Sequence, residues 1–448
     1  MTNRKALYAS IIGLALTVAL LAACGTPEPL LETIPPTARS ATATATPTQA
    51  PLPTATPVPE QTPTASALSK PARYALFLQT WMFVNDRYVY ADFGGVDWEA
   101  VKEEYSVKVA DAASDEEFYE LMREMVDLLG GKHSAFVTPE LVALENTIYD
   151  SLQIPGGIGA SLDETDGELV LVQVLPDNPA FEAGLQPGES IVAIDGVRWQ
   201  QFSSIDQAIL AIVGEAGTDV VLTVRSVDGA EREVSIVRAP VDLEGTLVQG
   251  RVVEDTEIGL LTLNGFDSPR VTEIVRDTLS ELLGGGTLQG LIVDVRANSG
   301  GDVDTLLNTL ALFVDGGSIG SRAGRKEAYD LLIPEGQSIP ELEGLPIIVL
   351  IGPRTNSSAE AFAAAMQLHE RAMLVGLPSA GNTEYLSWHP LSDGSVLHLA
   401  EWVYERPDGS RIEGRGVQPD VLVDMDWWLY GTDDDVQLQA AIDLLASD

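Results

Sequence analysis

Four short apolar runs in the C-terminal half constrain this chain most: IGLLTLNGF, LQGLIVDVR, LPIIVLIG and AMLVG. Each is too short for an ordinary helix, and none alternates apolar with polar residues. Strands written this way have both faces covered, the pattern of a sheet held between layers of helices. Helical patterns fall between them, at 268–283, 303–313 and 359–368. From Ile258 onward the expected fold is therefore an α/β layered core. The closing stretch DDDVQLQAAIDLLAS places acidic residues where a helix N-terminus favours negative charge.

Upstream the pattern changes twice. Between 71 and 137, YALFLQTWMFVNDRYVY and DEEFYELMREMVDLL repeat apolar residues every three or four positions, which predicts helices. Ser114 or Asp115 caps the second of them. GGKHSAF follows, with Gly130 and Gly131 ending the helix and His133 in the loop. Between 155 and 239, ELVLVQVL, DVVLTVRSV and AEREVSIVRA read as strands and SIDQAILAIVG as a helix. The implied division is a leader at 1–24, a spacer at 25–69, a helical region at 70–148, a β-rich domain at 149–241 and the layered core at 242–448.

The chain is long enough, at 448 residues, for several cores. Its formal net charge of −41 would repel polyanions, which argues against nucleic-acid binding. The acidic residues are spread along the chain, as on a solvated surface. Cys24 is the single cysteine, so no intrachain disulfide can form. His133, His369, His389 and His398 have no zinc-ligand spacing, so neither a metal nor a cofactor is expected.

Asn3, Arg4 and Lys5 followed by an apolar stretch at 6–20 form a secretory signal. The LAAC that ends it resembles the bacterial lipobox, which implies a lipidated Cys24 as the mature N-terminus. A plain N-terminal anchor is the alternative, since the apolar run is nearly long enough to span a bilayer. Either places the folded part outside the cytoplasm. The Pro, Thr and Ala spacer after it has too few large apolar residues to fold and suits an extended tether.

The chemistry centres on PRTNSSAEAFAAAM. A serine at a helix start lies beside unpaired N–H groups and the positive end of the helix dipole, so Ser357 could act as a nucleophile. Ser357 and Glu360 also spell the capping box S-x-x-E, which needs no function. The local sequence leaves both open. NSGG, at 298–301, follows a predicted buried strand, and its glycines would let the backbone approach a ligand or simply make a tight turn.

Two resemblances follow from these residues. The segment 155–239 resembles a PDZ domain through Gly157, Ile158 and Gly159, through PAFEAGL and through IVAIDG. That implies a glycine loop able to hold a C-terminal carboxylate beside a strand edge that pairs with a peptide, or else a scaffold that only packs on the core. The folded chain as a whole resembles the C-terminal processing serine peptidases of family S41. LLGGKHSAFVTP, GLIVDVRANSGGDV, TNSSAEAFAAAM and IEGRGVQPDV carry the likeness in order and spacing.

The family implies a crotonase-like α/β core, Ser357 as nucleophile, and an oxyanion site from the N–H of Ser358 with that of Gly300 or Gly301. Its lysine-dependent branch has the general base where this chain has Asn382, and a glutamine where it has Leu386. Asn382 cannot accept a proton, and Lys326 is the single lysine after the PDZ-like segment. A second branch, the tricorn-like members, uses histidine. Carried over, it implies His133 as base, Glu413 in support and Ser134 as a possible helper, although Gly131 stands where the family has an aspartate. His389 is the reserve base. The expectation is a lipid-anchored, extracytoplasmic serine endopeptidase acting on flexible polypeptides, perhaps near their C-termini. The rivals are a pseudoprotease that binds peptides and a carrier of apolar ligands.

Overall fold

A computed structural model describes residues 67–130, 133–151, 153–165, 167–202 and 204–447. The leader, Cys24, nearly all of the spacer and Gly131 lie outside the described residues. Among the described residues no helix is long and apolar enough to cross a membrane.

The four apolar runs are the strands Ile258–Leu263, Gly290–Asp294, Ile347–Ile351 and Met373–Gly376. They pair in parallel in that order. Val248–Val252 adds an antiparallel strand at one edge and Val421–Leu422 a parallel one at the other. Alternate side chains of the central strands feed two cores. Leu261, Val293, Val349 and Leu374 meet the helices Val271–Gly284, Val303–Leu310 and Ser358–Leu368. Leu260, Ile292, Leu350 and Val375 meet the C-terminal helix Val436–Leu445. The acidic residues expected in that helix's first turn lie before it, with Asp435 as the N-cap bonded to the Leu438 N–H at 2.9 Å.

A second sheet, antiparallel throughout, is built from Ser318–Gly324, Ala328–Leu332, Glu384–Pro390 and Val396–Glu405. The N-terminal region completes it: Ala135–Val137 pairs with the start of Val396–Glu405. The helices Lys70–Arg87, Trp98–Asp111 and Asp115–Asp127 pack on this sheet, with Phe77, Trp81 and Met122 against Leu397, Leu399 and Val403. Arg325 locks the arrangement by donating to the carbonyls of Tyr88, Asn85 and Val84 at the end of the first helix. The first and last parts of the chain thus share one core, which brings His133 to the region of residues 382–400.

The PDZ-like segment is a sheet in the order Ala160–Thr165, Glu168–Val174, Ser190–Ile194, Asp219–Arg225, Glu231–Val237, with its own core and the helix Ile205–Ile212. The ribbon Gln153–Gly157 with Ala239–Asp242 joins it to the rest, as expected of an insertion. Asp163 on its edge strand ion-pairs with Arg354 at 2.8 Å, and Trp428 lies against Gly188.

Candidate active site

Ser357 begins the helix Ser358–Leu368 at φ 53°, ψ −121°. That backbone is strained for any residue but glycine, and such strain persists only where the surroundings impose it. Glu360, fully buried, supplies much of the constraint. Its carboxylate accepts from the Ser357 N–H at 3.1 Å and the Asn382 N–H at 2.8 Å. It also takes Ser379 Oγ and the Gly381 N–H, both at 2.6 Å. Burial, the largest influence, lifts the Glu360 pKa above the usual carboxylate value, and the four donors pull the other way. One carboxylate therefore ties the serine turn to the turn 379–382. Thr355 acts from below: its hydroxyl donates to the Val295 carbonyl at 2.9 Å and accepts the Gly352 N–H at 3.0 Å.

Gly300 lies against the serine side chain, where a Cβ would come within 2.6 Å of Ser357 Cβ. The Gly300 N–H is engaged by Asn298 Oδ1 at 2.9 Å. Of the two glycines, Gly301 is the one whose N–H has no partner among the described residues. Its carbonyl accepts from Ser358 Oγ at 2.7 Å, which holds it beside the helix start. The Ser358 N–H, at the first helical position, has no intrahelical partner either. Arg296 and Asp294 brace this loop from behind, with Arg296 also paired to Asp435 at 2.7 Å.

Asn382 holds the lysine's place and is buried. Its carbonyl accepts the Ser357 N–H at 3.0 Å, and its Nδ2 donates to His133 Nε2 at 3.1 Å. His133 thus reaches the site across 249 positions of chain, but its bond is to Asn382 rather than to Ser357 Oγ. With the Asn382 amide in this orientation its nitrogen donates, so Nε2 accepts and the ring proton sits on Nδ1. That is the tautomer a general base needs. Nδ1 faces Glu384 Oε2 at 4.0 Å.

Glu413 is also present, but it serves the turn. Its Oε2 accepts from the N–H of Thr383 at 2.6 Å and its hydroxyl at 3.0 Å, while Arg411 pairs with Glu405. The Ser134 hydroxyl accepts the Ala400 N–H at 3.1 Å, which ties the residue beside His133 to the sheet. His389, the reserve base, bonds Glu401 at 2.8 Å and stacks on Phe83. His398 is buried against Trp388, and burial pushes its pKa down to about 4. His369 ends the helix that Ser357 starts, and Lys326 is exposed. Leu386, in the glutamine's place, packs with the N-terminal helical core.

In the PDZ-like segment the Ile158 side chain is buried, and its carbonyl accepts the Ala180 N–H at 2.7 Å. Gly159, at φ 74°, passes so close to Asn178 that a Cβ would lie 2.3 Å from it. The strand beside this loop, Ala160–Thr165, is the sheet edge.

Residues 257–423 match peptidase family S41, residues 156–237 a PDZ domain, and residues 72–127 the tricorn protease C1 domain. Residues 257–423 are thus a peptidase domain of the S41 type. A carboxyl-terminal-processing protease of Picosynechococcus sp. is 28% identical over 385 residues, covering 83% of this chain and 89% of that protein. One of Synechocystis sp. is 29% identical over 399 residues, covering 85% and 89%. The solved structure of a photosystem II D1 C-terminal processing protease aligns with a TM-score of 0.65 at 25% identity, covering 84% of this chain and 98% of that one. The family is one of serine-type proteases acting on polypeptides. Glu384, which faces His133, is the site residue that sequence reasoning missed. Its position two residues after Asn382 is the signal that could have found it, since residues two apart in an extended chain share a side.

Proposed function

We propose that this protein is an extracytoplasmic serine endopeptidase, held to a membrane through a lipidated Cys24, that cleaves flexible polypeptides near their C-termini. Ser357 Oγ attacks the scissile carbonyl carbon, and its proton passes to His133 Nε2. The oxyanion is held by the N–H groups of Ser358 and Gly301. Collapse of the tetrahedral adduct breaks the C–N bond as His133 returns the proton to the amine, and water then hydrolyses the acyl ester. Glu413 keeps the 382–383 turn in register. The PDZ-like loop 157–159 and its edge strand bind the substrate's C-terminal segment. The names of the two relatives and of the solved structure support the preference for C-termini.

The observation that carries this reading is the strained Ser357 at a helix start, against Gly300 and bonded through its N–H to the same Asn382 that holds His133. The Asn382–His133 bond favours a second reading, a peptide-binding protein without catalysis, because it occupies the lone pair the base needs. His133 must leave Asn382 for Ser357 Oγ when substrate enters. Casein cleavage by the purified protein tests the choice, with Ser357→Ala and His133→Ala alongside. Endopeptidase action requires loss in both variants. Retained activity in His133→Ala assigns a different base, and an inactive parent that binds C-terminal peptides makes the chain a binding protein.

A further inference from the structure

We infer that Glu384 is the carboxylate that positions His133; this rests on the Ser357–His133 reading above. Glu384 opens the strand Glu384–Pro390 two residues after Asn382, and its side chain is 3% exposed. Asn382 fixes Nε2 as the acceptor, so the Nδ1 proton is directed at the Glu384 carboxylate, with 4.0 Å between Nδ1 and Oε2. Tyr90, just beyond the first helix, is near enough that, after burial, the Glu384 charge raises the pKa of its hydroxyl. A carboxylate this deep is costly without donors, and the imidazole N–H is placed to be one when His133 swings from Asn382 toward Ser357.

Glu384 lies on the Nδ1 side of this imidazole. Glu413 contributes through space to the same cluster, raising the Tyr90 pKa together with burial and Glu384. Glu360 lies beyond the Asn382 backbone. Both resolved contacts of Glu413 go to Thr383, so the two carboxylates divide the work: one holds the turn, the other holds the base. A carboxylate beside Nδ1 keeps the required tautomer and stabilises the imidazolium formed when Ser357 gives up its proton. Glu384 is therefore a positioning residue.

The test uses the detergent-solubilised full chain. The imidazole resonances of its four histidines are followed by NMR against pH, with His133 assigned by its loss in His133→Ala. Replacing Glu384 by Gln should lower the His133 midpoint by on the order of one pH unit. The acid limb of kcat/KM should move down with it, and kcat should fall at least about tenfold. Glu384→Asp, which keeps the charge, should restore most of the midpoint and serves if the Gln variant fails to fold. A midpoint unmoved in Glu384→Gln but lowered in Glu413→Gln would transfer the role to Glu413. A midpoint unmoved in both would overturn the inference. The titration needs no turnover, so it decides the Glu384–His133 contact even if the parent proves inactive and the peptidase reading fails.

Discussion

Three helices in this protein start with the same signature, a serine followed three residues later by Glu or Gln. At Ser114 and Ser204 the backbone is extended, at φ −137° and −157°. Each hydroxyl caps its helix, accepting from the Glu117 N–H at 3.1 Å and the Gln207 N–H at 3.3 Å. At Ser357 the same signature carries φ 53°, ψ −121°. The acid at the third position also behaves differently. Glu117 reaches back to one exposed backbone N–H, that of Ala113, whereas Glu360 gathers four buried donors from two turns. The signature is thus common to all three sites. What separates them is tertiary constraint: Gly300 and the 379–382 turn press on Ser357, and nothing comparable presses on Ser204.

The largest effect expected from this contrast is on turnover. Ser357→Ala should lower kcat/KM by a factor of about a thousand or more. Ser204→Ala should leave kcat/KM unchanged and cost about 1 kcal/mol of stability through the lost cap. Parallel kinetics and denaturant melts read both. Equal loss of activity in the two variants would remove the distinction. Next is the acid. Glu360→Ala strands four donors and should cost about 3 kcal/mol or more. Gln207→Ala should stay within about 0.5 kcal/mol. A mild Glu360→Ala would mean that the two turns hold together without the carboxylate.

The third contrast is one of sign. Glycine adopts the Ser357 backbone freely, and the strain it relieves is of order 1–3 kcal/mol. Ser357→Gly should therefore stabilise the protein by about 1 kcal/mol after the added entropy of the unfolded chain. Ser204→Gly should cost a few tenths, because its extended backbone carries no such strain. Destabilisation in both would show that Ser357 sits comfortably as a cap.

These contrasts also show where sequence reasoning reached and where it stopped. The parallel strands were legible because burial on both faces writes an uninterrupted apolar run, as in IIVLI at 347–351. The capping box at 357–360 was legible too, but as one of two meanings, since φ is not written in residue types. The antiparallel sheet was harder: SIGSRAG at 318–324 carries glycines and polar residues, and Ala135–Val137 is paired across most of the chain. Glu384 was invisible for the same reason. Its meaning comes from His133, which reaches the site only because the N-terminal helices and Val396–Glu405 share a core. Pairings set by such distant segments leave no local pattern.

The smallest effect concerns how the first-turn acids titrate. Glu360 is clamped by donors, but Asp206 in the PDZ-like helix meets other acids. Burial raises its pKa while Arg123 opposes the shift. Desolvation where the three acids converge, reinforced by the Asp206 charge, also pushes Asp127, whose own surface stays exposed, and the half-buried Glu145 to about 7. Groups whose folded pKa lies above the unfolded value stabilise the contact at acid pH, and the benefit is lost as pH rises through about 7. The seam between the helix Ile205–Ile212 and the helices bearing Asp127 and Glu145 should therefore loosen between pH 6 and pH 8. Ser358–Leu368 should not. Hydrogen exchange, corrected for the intrinsic pH dependence, should show faster opening of 205–212 at pH 8 and unchanged protection of 358–368. Asp206→Asn should shrink the difference, because it removes the charge that its two neighbours resist while their desolvation remains. If the variant keeps the same pH response, the loosening arises from other groups, and the two helices differ in backbone strain alone.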